Sequence, residues 1–219
     1  FGPLFGGIVI VYAGFGAVFI SAGLLLLVSV LCLFRSTEEH IPYHFSIRSV
    51  VNKRYWRDSL FFVSRGAFTI SNGVIWPMFI FVILGNYFSL GVVGSLLSGV
   101  SALLMWVGGK FSDKVNKRTI IRWLVPFETV AWVARALVTT VGHVYGAAIF
   151  GALSHGALES PLGALEYDKA RSDIAGYFVS RETFLCLGRV LALTFVLMTD
   201  SLMGGLVFQG IASFAALLF

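Results

Sequence analysis

The chain has 219 residues, 58% of them hydrophobic and only 12% charged, against roughly a quarter charged in soluble proteins. The charge is gathered into short blocks separated by apolar runs of about 20 residues, the length that crosses a bilayer as a helix. Despite a net charge of +5, this excludes a nucleic-acid-binding domain, a secreted disulfide scaffold and a soluble enzyme. Cys32 and Cys186 lie in apolar segments and read as small packing residues.

In chain order, eight spans are expected, near 1–13, 16–34, 59–84, 88–109, 119–141, 144–164, 177–198 and 202–219. They are helices, because the runs are too long for barrel strands of about 10 residues. The chain opens at Phe1 inside one apolar run and stops at Phe219 inside another, so both ends read as cuts, with the last helix truncated. The connectors alternate in chemistry. Tyr12–Gly16, Gly85–Ser89, Val141–Tyr145 and Thr199–Met203 hold no lysine or arginine, whereas Arg35–Arg57, Lys110–Arg122 and Lys169–Arg181 are basic. Of sixteen Lys and Arg, only Arg65, Arg135 and Arg189 fall outside those three blocks. Cytoplasmic loops collect Lys and Arg, so the basic connectors are read as cytoplasmic and the others as external. The stretch 35–58 is a solvated linker between two helical bundles.

The connector after the fourth span reads Gly109-Lys-Phe-Ser-Asp113-Lys-Val-Asn116-Lys117-Arg118. It resembles the G-x-L-x-D-x-x-G-R-K signature of the major facilitator superfamily of transporters. Gly109, Asp113, Lys117 and Arg118 match it directly, Phe111 replaces leucine, and Asn116 replaces a glycine. On this reading Gly109 ends the descending helix and Asn116 takes a left-handed backbone, where asparagine is the next best residue. Gly2-Pro3-Leu-Phe-Gly6-Gly7 and the following Gly14-Phe-Gly16 are similar to the fifth helix of the superfamily and the turn into its sixth. The same glycines also resemble part of a motif of proton-driven drug antiporters.

The resemblance implies an all-α integral membrane protein, a polytopic helical bundle of that superfamily with a nearly complete C-terminal six-helix half. Residues 1–34 would be the last two helices of the N-terminal bundle, 35–58 the central cytoplasmic loop, and 59–219 the C-terminal bundle. It further implies transport of a small solute by alternating access in the cell membrane. The partners are the lipid bilayer and the solute, with a coupling proton left open; neither nucleic acid nor a cofactor or metal is expected.

Charges inside spans are expensive and mark functional candidates. Arg65, Thr69, Asn72 and Trp76 recur at helical spacing ahead of Pro77, which should interrupt the third span. Glu128, Trp132 and Arg135 share one face of the fifth span; His155 and Glu159 are four apart in the sixth, and Glu182, Cys186 and Arg189 share a face of the seventh. Arg65, Asn72, Trp76, Glu128 and Arg135 are the candidates for lining a solute cavity. Glu128, His155 and Glu159 are the candidates for protonation and coupling. The plainer alternative makes Glu159 the structural partner of an arginine on another helix and the tryptophans bundle packing. Glu166, Asp168, Lys169, Arg171, Arg181 and Glu182 read as a charge network at the inner surface. Two rivals stand beside the transporter: a membrane enzyme built on His155, Glu159 and Asp200, and a non-transporting scaffold or receptor on the same fold. Within the transporter reading, proton-coupled multidrug or metabolite efflux is the alternative.

Overall fold

The computed structural model describes residues 2–35, 56–112, 116–171 and 173–219. Most of the 35–58 linker, and Asp113 of the signature, therefore lie outside the described residues. Helix α1 is Gly2–Leu33, divided at Gly14, whose φ of 77° and ψ of 176° leave the helical region. Then come α2 (Trp56–Ile70), a π-helical turn (Ser71–Ile75) and α3 (Trp76–Leu84). They are followed by α4 (Tyr87–Ser112), α5 (Lys117–Ala136), α6 (Val141–Ala170) and α7 (Ile174–Thr199). The chain closes with α8 (Leu202–Ala212) running into a 3-10 turn, Ser213–Leu218.

The helix boundaries follow local chemistry. Asn116, Thr140, Asp173 and Ser201 cap α5 to α8, each accepting a backbone N–H from the first turn. Gly85 closes α3 with a left-handed backbone at φ 69°. Two expectations about the signature are corrected. The helix does not end at Gly109 but runs through it to Ser112. Asn116 is not left-handed: at φ −60° and ψ 114° it is extended, and its carboxamide accepts from the Arg118 N–H at 3.0 Å. Asparagine serves there as an N-cap, a role in which it ranks with the best residues.

Gly2–Leu33, Trp56–Leu84, Tyr87–Lys110 and Ile174–Thr199 are long and apolar enough to cross a membrane. Helices α5 and α6 have the length for it, about 30 Å and 45 Å at 1.5 Å per residue, but carry charged residues that lower their hydropathy, among them Lys117, Arg118, Arg122, Glu128 and Arg135 on α5 and Glu159, Glu166, Asp168 and Lys169 on α6. α6 packs against α4 and α5, α2 against α7, and α5 against α8. The α2–α7 crossing is close. A Cβ on Gly66 would collide with the Leu185 carbonyl oxygen, and one on Gly188 with that of Val63. Because both obstacles are backbone, Gly188→Ala should force the helices apart and cost about 1–3 kcal/mol, read as a lower unfolding temperature in detergent. By contrast Gly146→Ala, which meets nothing within 4 Å, should leave it unchanged or raise it.

The bundle interior is layered. One apolar core gathers Ile75, Trp76, Ile80, Trp132, Val144, Ala148 and Leu206. A second, toward the basic connectors, gathers Phe61, Phe62, Ile121, Val125, Leu158, Leu162, Ala216 and Phe219. Polar residues stand near the junction of the two cores: Arg65 on α2, Glu128 on α5, Ser154, His155 and Glu159 on α6, and Gln209 on α8 with Ser213 of the 3-10 turn that follows it. Cys32 and Cys186 are exposed on the bundle surface rather than packed inside, which corrects their reading as packing residues.

Candidate functional site: a polar layer inside the bundle

Two linked groups make up this layer. In the first, the Arg65 guanidinium donates from Nη2 to both carboxylate oxygens of Glu159, at 2.6 and 2.7 Å. This joins α2 to α6 and makes the plainer alternative for Glu159 the observed contact. The Arg65 guanidinium also lies over the Phe68 ring at 5.1 Å, and the His155 ring stacks on Phe68 at 4.6 Å. His155 Nδ1 stands 3.9 Å from Glu159 Oε2, too far for a hydrogen bond.

The second group surrounds Arg135, which is 3% exposed. Its guanidinium lies between the rings of Trp132 and Trp76, at 4.4 and 5.2 Å, and donates to Asn72 Oδ1 at 3.2 Å. Glu128, one α-helical turn before Trp132, accepts from the Trp132 indole N–H at 2.9 Å and from the Ser154 hydroxyl at 2.6 Å. The expected shared face of Glu128, Trp132 and Arg135 is therefore real, and all three are buried.

The third span is interrupted as Pro77 suggested, by a particular device. The Trp76 N–H reaches back five residues to the Ser71 carbonyl, so the chain takes a wide π turn before Pro77. That extra residue breaks the simple helical face drawn from Arg65 to Trp76. Thr69 is exposed, its hydroxyl donating to the Arg65 carbonyl of its own helix at 2.9 Å. On α7 the expected face is turned outward: Glu182 and Cys186 are both exposed, and Glu182 is paired with Arg181 at 2.5 Å.

The five cavity-lining candidates do not share one cavity. Asn72 and Trp76 line a space of about 330 Å³ between α1, α3 and α4, with Pro3, Ile10, Pro77, Tyr87 and Leu97. Arg65 and Glu128 line a smaller one of about 20 Å³, with Phe68, His155, Gln209 and Ser213. It has room for one water. Arg135 lines neither and sits behind Asn72. Of the coupling candidates, Glu128 and His155 face the small cavity, while Glu159 is held by Arg65. Phe68, Ser154 and Gln209 were missed by the sequence reading. Gln209 had a signal, being a lone carboxamide in the otherwise apolar helix Leu202–Leu218.

At the basic end the expected charge network is present. Lys117 bonds Asp168 at 2.6 Å, Arg171 approaches Asp168 at 3.3 Å, Lys169 pairs with Asp58 at 2.5 Å, and Arg181 pairs with Glu166 and Glu182. The hydrogen bond from Lys117 holds the Asp168 carboxyl below the usual carboxylate range. Such a depressed group contributes stability that is fully present above the ordinary carboxylate pKa of about 4 and lost as pH falls through the depressed value. The difference in unfolding temperature between wild type and Asp168→Asn should thus be constant above about pH 5 and close on further acidification. A difference unchanged down to pH 2 would contradict the role given to the carboxylate.

Apolar helices of membrane length closed around a charged and aromatic interior define a multi-pass integral membrane protein. Residues 1–193 match the family model of the Major Facilitator Superfamily, and the chain belongs to that superfamily of solute transporters. No curated protein and no solved structure matches it. His155 and Asp200, invoked for the enzyme rival, lie respectively against Phe68 and in the turn after α7, where Asp200 has a left-handed backbone at φ 48°.

Proposed function

We propose that this protein moves a small, largely apolar solute by alternating access, and that Asn72 and Trp76 form part of its solute-binding wall. The observation that carries the reading is the cavity of about 330 Å³ beside the π turn, within the range of small-molecule sites. Its wall is apolar except for Asn72, the Trp76 and Tyr87 rings and Ser98. Arg135 holds the Asn72 carboxamide from behind. The buried Trp76 indole N–H has no acceptor among the described residues, which suits a solute or water carrying one. Residues 59–219 act as one six-helix bundle and 1–34 as two helices of the other, with 35–58 as the cytoplasmic connection.

The seam between those two bundles supports a rocking motion. A Cβ on Gly7 would come within 2.9 Å of the Tyr87 carbonyl oxygen, and one on Gly91 within 2.7 Å of that of Pro3. The Leu4 N–H donates to Ser95 Oγ at 2.9 Å across the same seam. Close, smooth glycine contacts with few side-chain interlocks allow rigid bodies to shift against each other.

The test is uptake of labelled solutes into liposomes containing the protein, with internal pH followed at the same time. Asn72→Leu should lower transport about tenfold while leaving the fold intact, because one oriented hydrogen bond is worth about 1–2 kcal/mol in a membrane interior. Substrate-driven proton movement would support the efflux antiporter and make Glu128, His155 or Glu159 the coupling group. Transport that survives collapse of the proton gradient would remove that alternative. Absence of both binding and uptake across cationic dyes, sugars and amino acids would favour the scaffold or receptor.

A further inference from the structure

At the basic end of the bundle a separate cavity of about 330 Å³ opens between the start of α2, the start of α5, the end of α6 and the last residues of the chain. Arg57, Arg118, Arg122 and Lys169 line it, against a single carboxylate, Asp58. That carboxylate is already engaged by Lys169 at 2.5 Å, and Lys169 also donates to the Phe219 carbonyl at 3.0 Å. Three guanidinium groups remain, and among the described residues none of them is in a salt bridge. The N-terminus of α5 adds the positive end of its dipole beside Arg118. Like charges gathered at one mouth repel unless an anion joins them, and guanidinium groups in this number suit a phosphate.

The phosphate could belong to a lipid or be free, and two further observations favour the lipid. A second cavity, of about 490 Å³ and apolar, runs between α2, α7 and α8, and it shares Leu217 and Leu218 with the basic one. A headgroup-sized positive pocket thus adjoins a hydrocarbon-sized groove, with Leu217 and Leu218 as their common wall. Trp56 and Trp123, which are 54% and 71% exposed, adjoin Arg57 and Arg122 in the sequence. Exposed indoles collect at the boundary between headgroups and hydrocarbon, so the pocket lies at headgroup depth.

We infer that the two cavities form one binding site for an anionic phospholipid, its phosphate on Arg57, Arg118 and Arg122 and an acyl chain in the groove walled by Leu191 and Phe208. Basic pockets between membrane helices take such headgroups. A lipid seated there ties α2, α5 and α8 together at the end where the basic connectors emerge. The site is separate from the solute wall at Asn72 and does not depend on what is transported.

Native mass spectrometry of the purified protein, offered phosphatidylglycerol or phosphatidylcholine with and without excess inorganic phosphate, tests this. Phosphatidylglycerol should be retained preferentially and should resist displacement by phosphate. The Arg118→Gln/Arg122→Gln double variant should lose about thirtyfold in that retention, from two surface cations. Leu191→Trp, which fills the groove and leaves the arginines alone, should weaken lipid retention too, and provides the answer if the double variant does not fold. Equal retention of phosphatidylcholine, or phosphatidylglycerol binding untouched by Leu191→Trp, would overturn the lipid site. Displacement by excess phosphate would overturn it in favour of a free-anion pocket.

Discussion

Replacing Arg65 by leucine should destabilise the bundle by about 3 kcal/mol, because it leaves the Glu159 carboxylate between helices without its cation. The pair is mostly enclosed, at 23% and 25% side-chain exposure, and a single nitrogen serves both carboxylate oxygens. That geometry is adequate but is not the two-pronged arginine fork, so the pair's own net contribution should be small. The two facts together make a prediction with a sign. Arg65→Leu and Glu159→Leu should each be strongly destabilising, while the double variant should recover most of the loss, since apolar replacement of both partners of a buried pair is often close to neutral. His155 cannot substitute for Arg65, because its Nδ1 stands 3.9 Å from the carboxylate and its ring is held by stacking on Phe68. Thermal unfolding of the four proteins in one detergent closes the cycle. Additive losses would mean that the pair is not the reason for either.

The layered interior explains how much of this molecule could be read from its sequence. Apolar runs located the helices because each one must bury backbone and side chains in hydrocarbon. Basic blocks divided them, since positive charge is retained on one side of a membrane. Helical spacing correctly put Glu128, Trp132 and Arg135 on one face, because α5 is regular there. It failed between Arg65 and Trp76, where the π turn at Ser71–Ile75 shifts the register; Pro77 signalled an interruption without giving its form. Contacts between helices left no local pattern at all. Arg65 and Glu159 are 94 residues apart and Ser64 bonds the Ala212 carbonyl across 148, so only the assembled bundle reveals them. Ser154 is ordinary in a helix of small residues until Glu128 is seen to lie opposite. The glycines at 66 and 188 could be read as small residues, but not as the two halves of one crossing.

Arg135 is packed against Trp76, Trp132 and Asn72, and a single methyl placed elsewhere should disable it. Gly151 on α6 faces the guanidinium, and a Cβ there would collide with Nη2 and come within 2.6 Å of Nε and 2.7 Å of Cζ. Arg135 is boxed in by Trp76 and Trp132 and cannot retreat without giving up Asn72. Gly151→Ala should therefore cost about 1–3 kcal/mol from overpacking, although alanine is the better helix former by about 0.8–1.0 kcal/mol. Its larger effect should be on uptake, which should fall at least about tenfold as Asn72 loses its support. Arg135→Leu should abolish uptake and lower the unfolding temperature, because it strips Asn72 of its donor and the Trp76 and Trp132 rings of the cation packed between them. The decisive comparison is the double variant. With the guanidinium gone, the alanine methyl has room, so Gly151→Ala/Arg135→Leu should be no worse than Arg135→Leu alone. If the two losses add, the methyl acts through helix packing rather than through Arg135, and the support of Asn72 by Arg135 would not be what uptake requires.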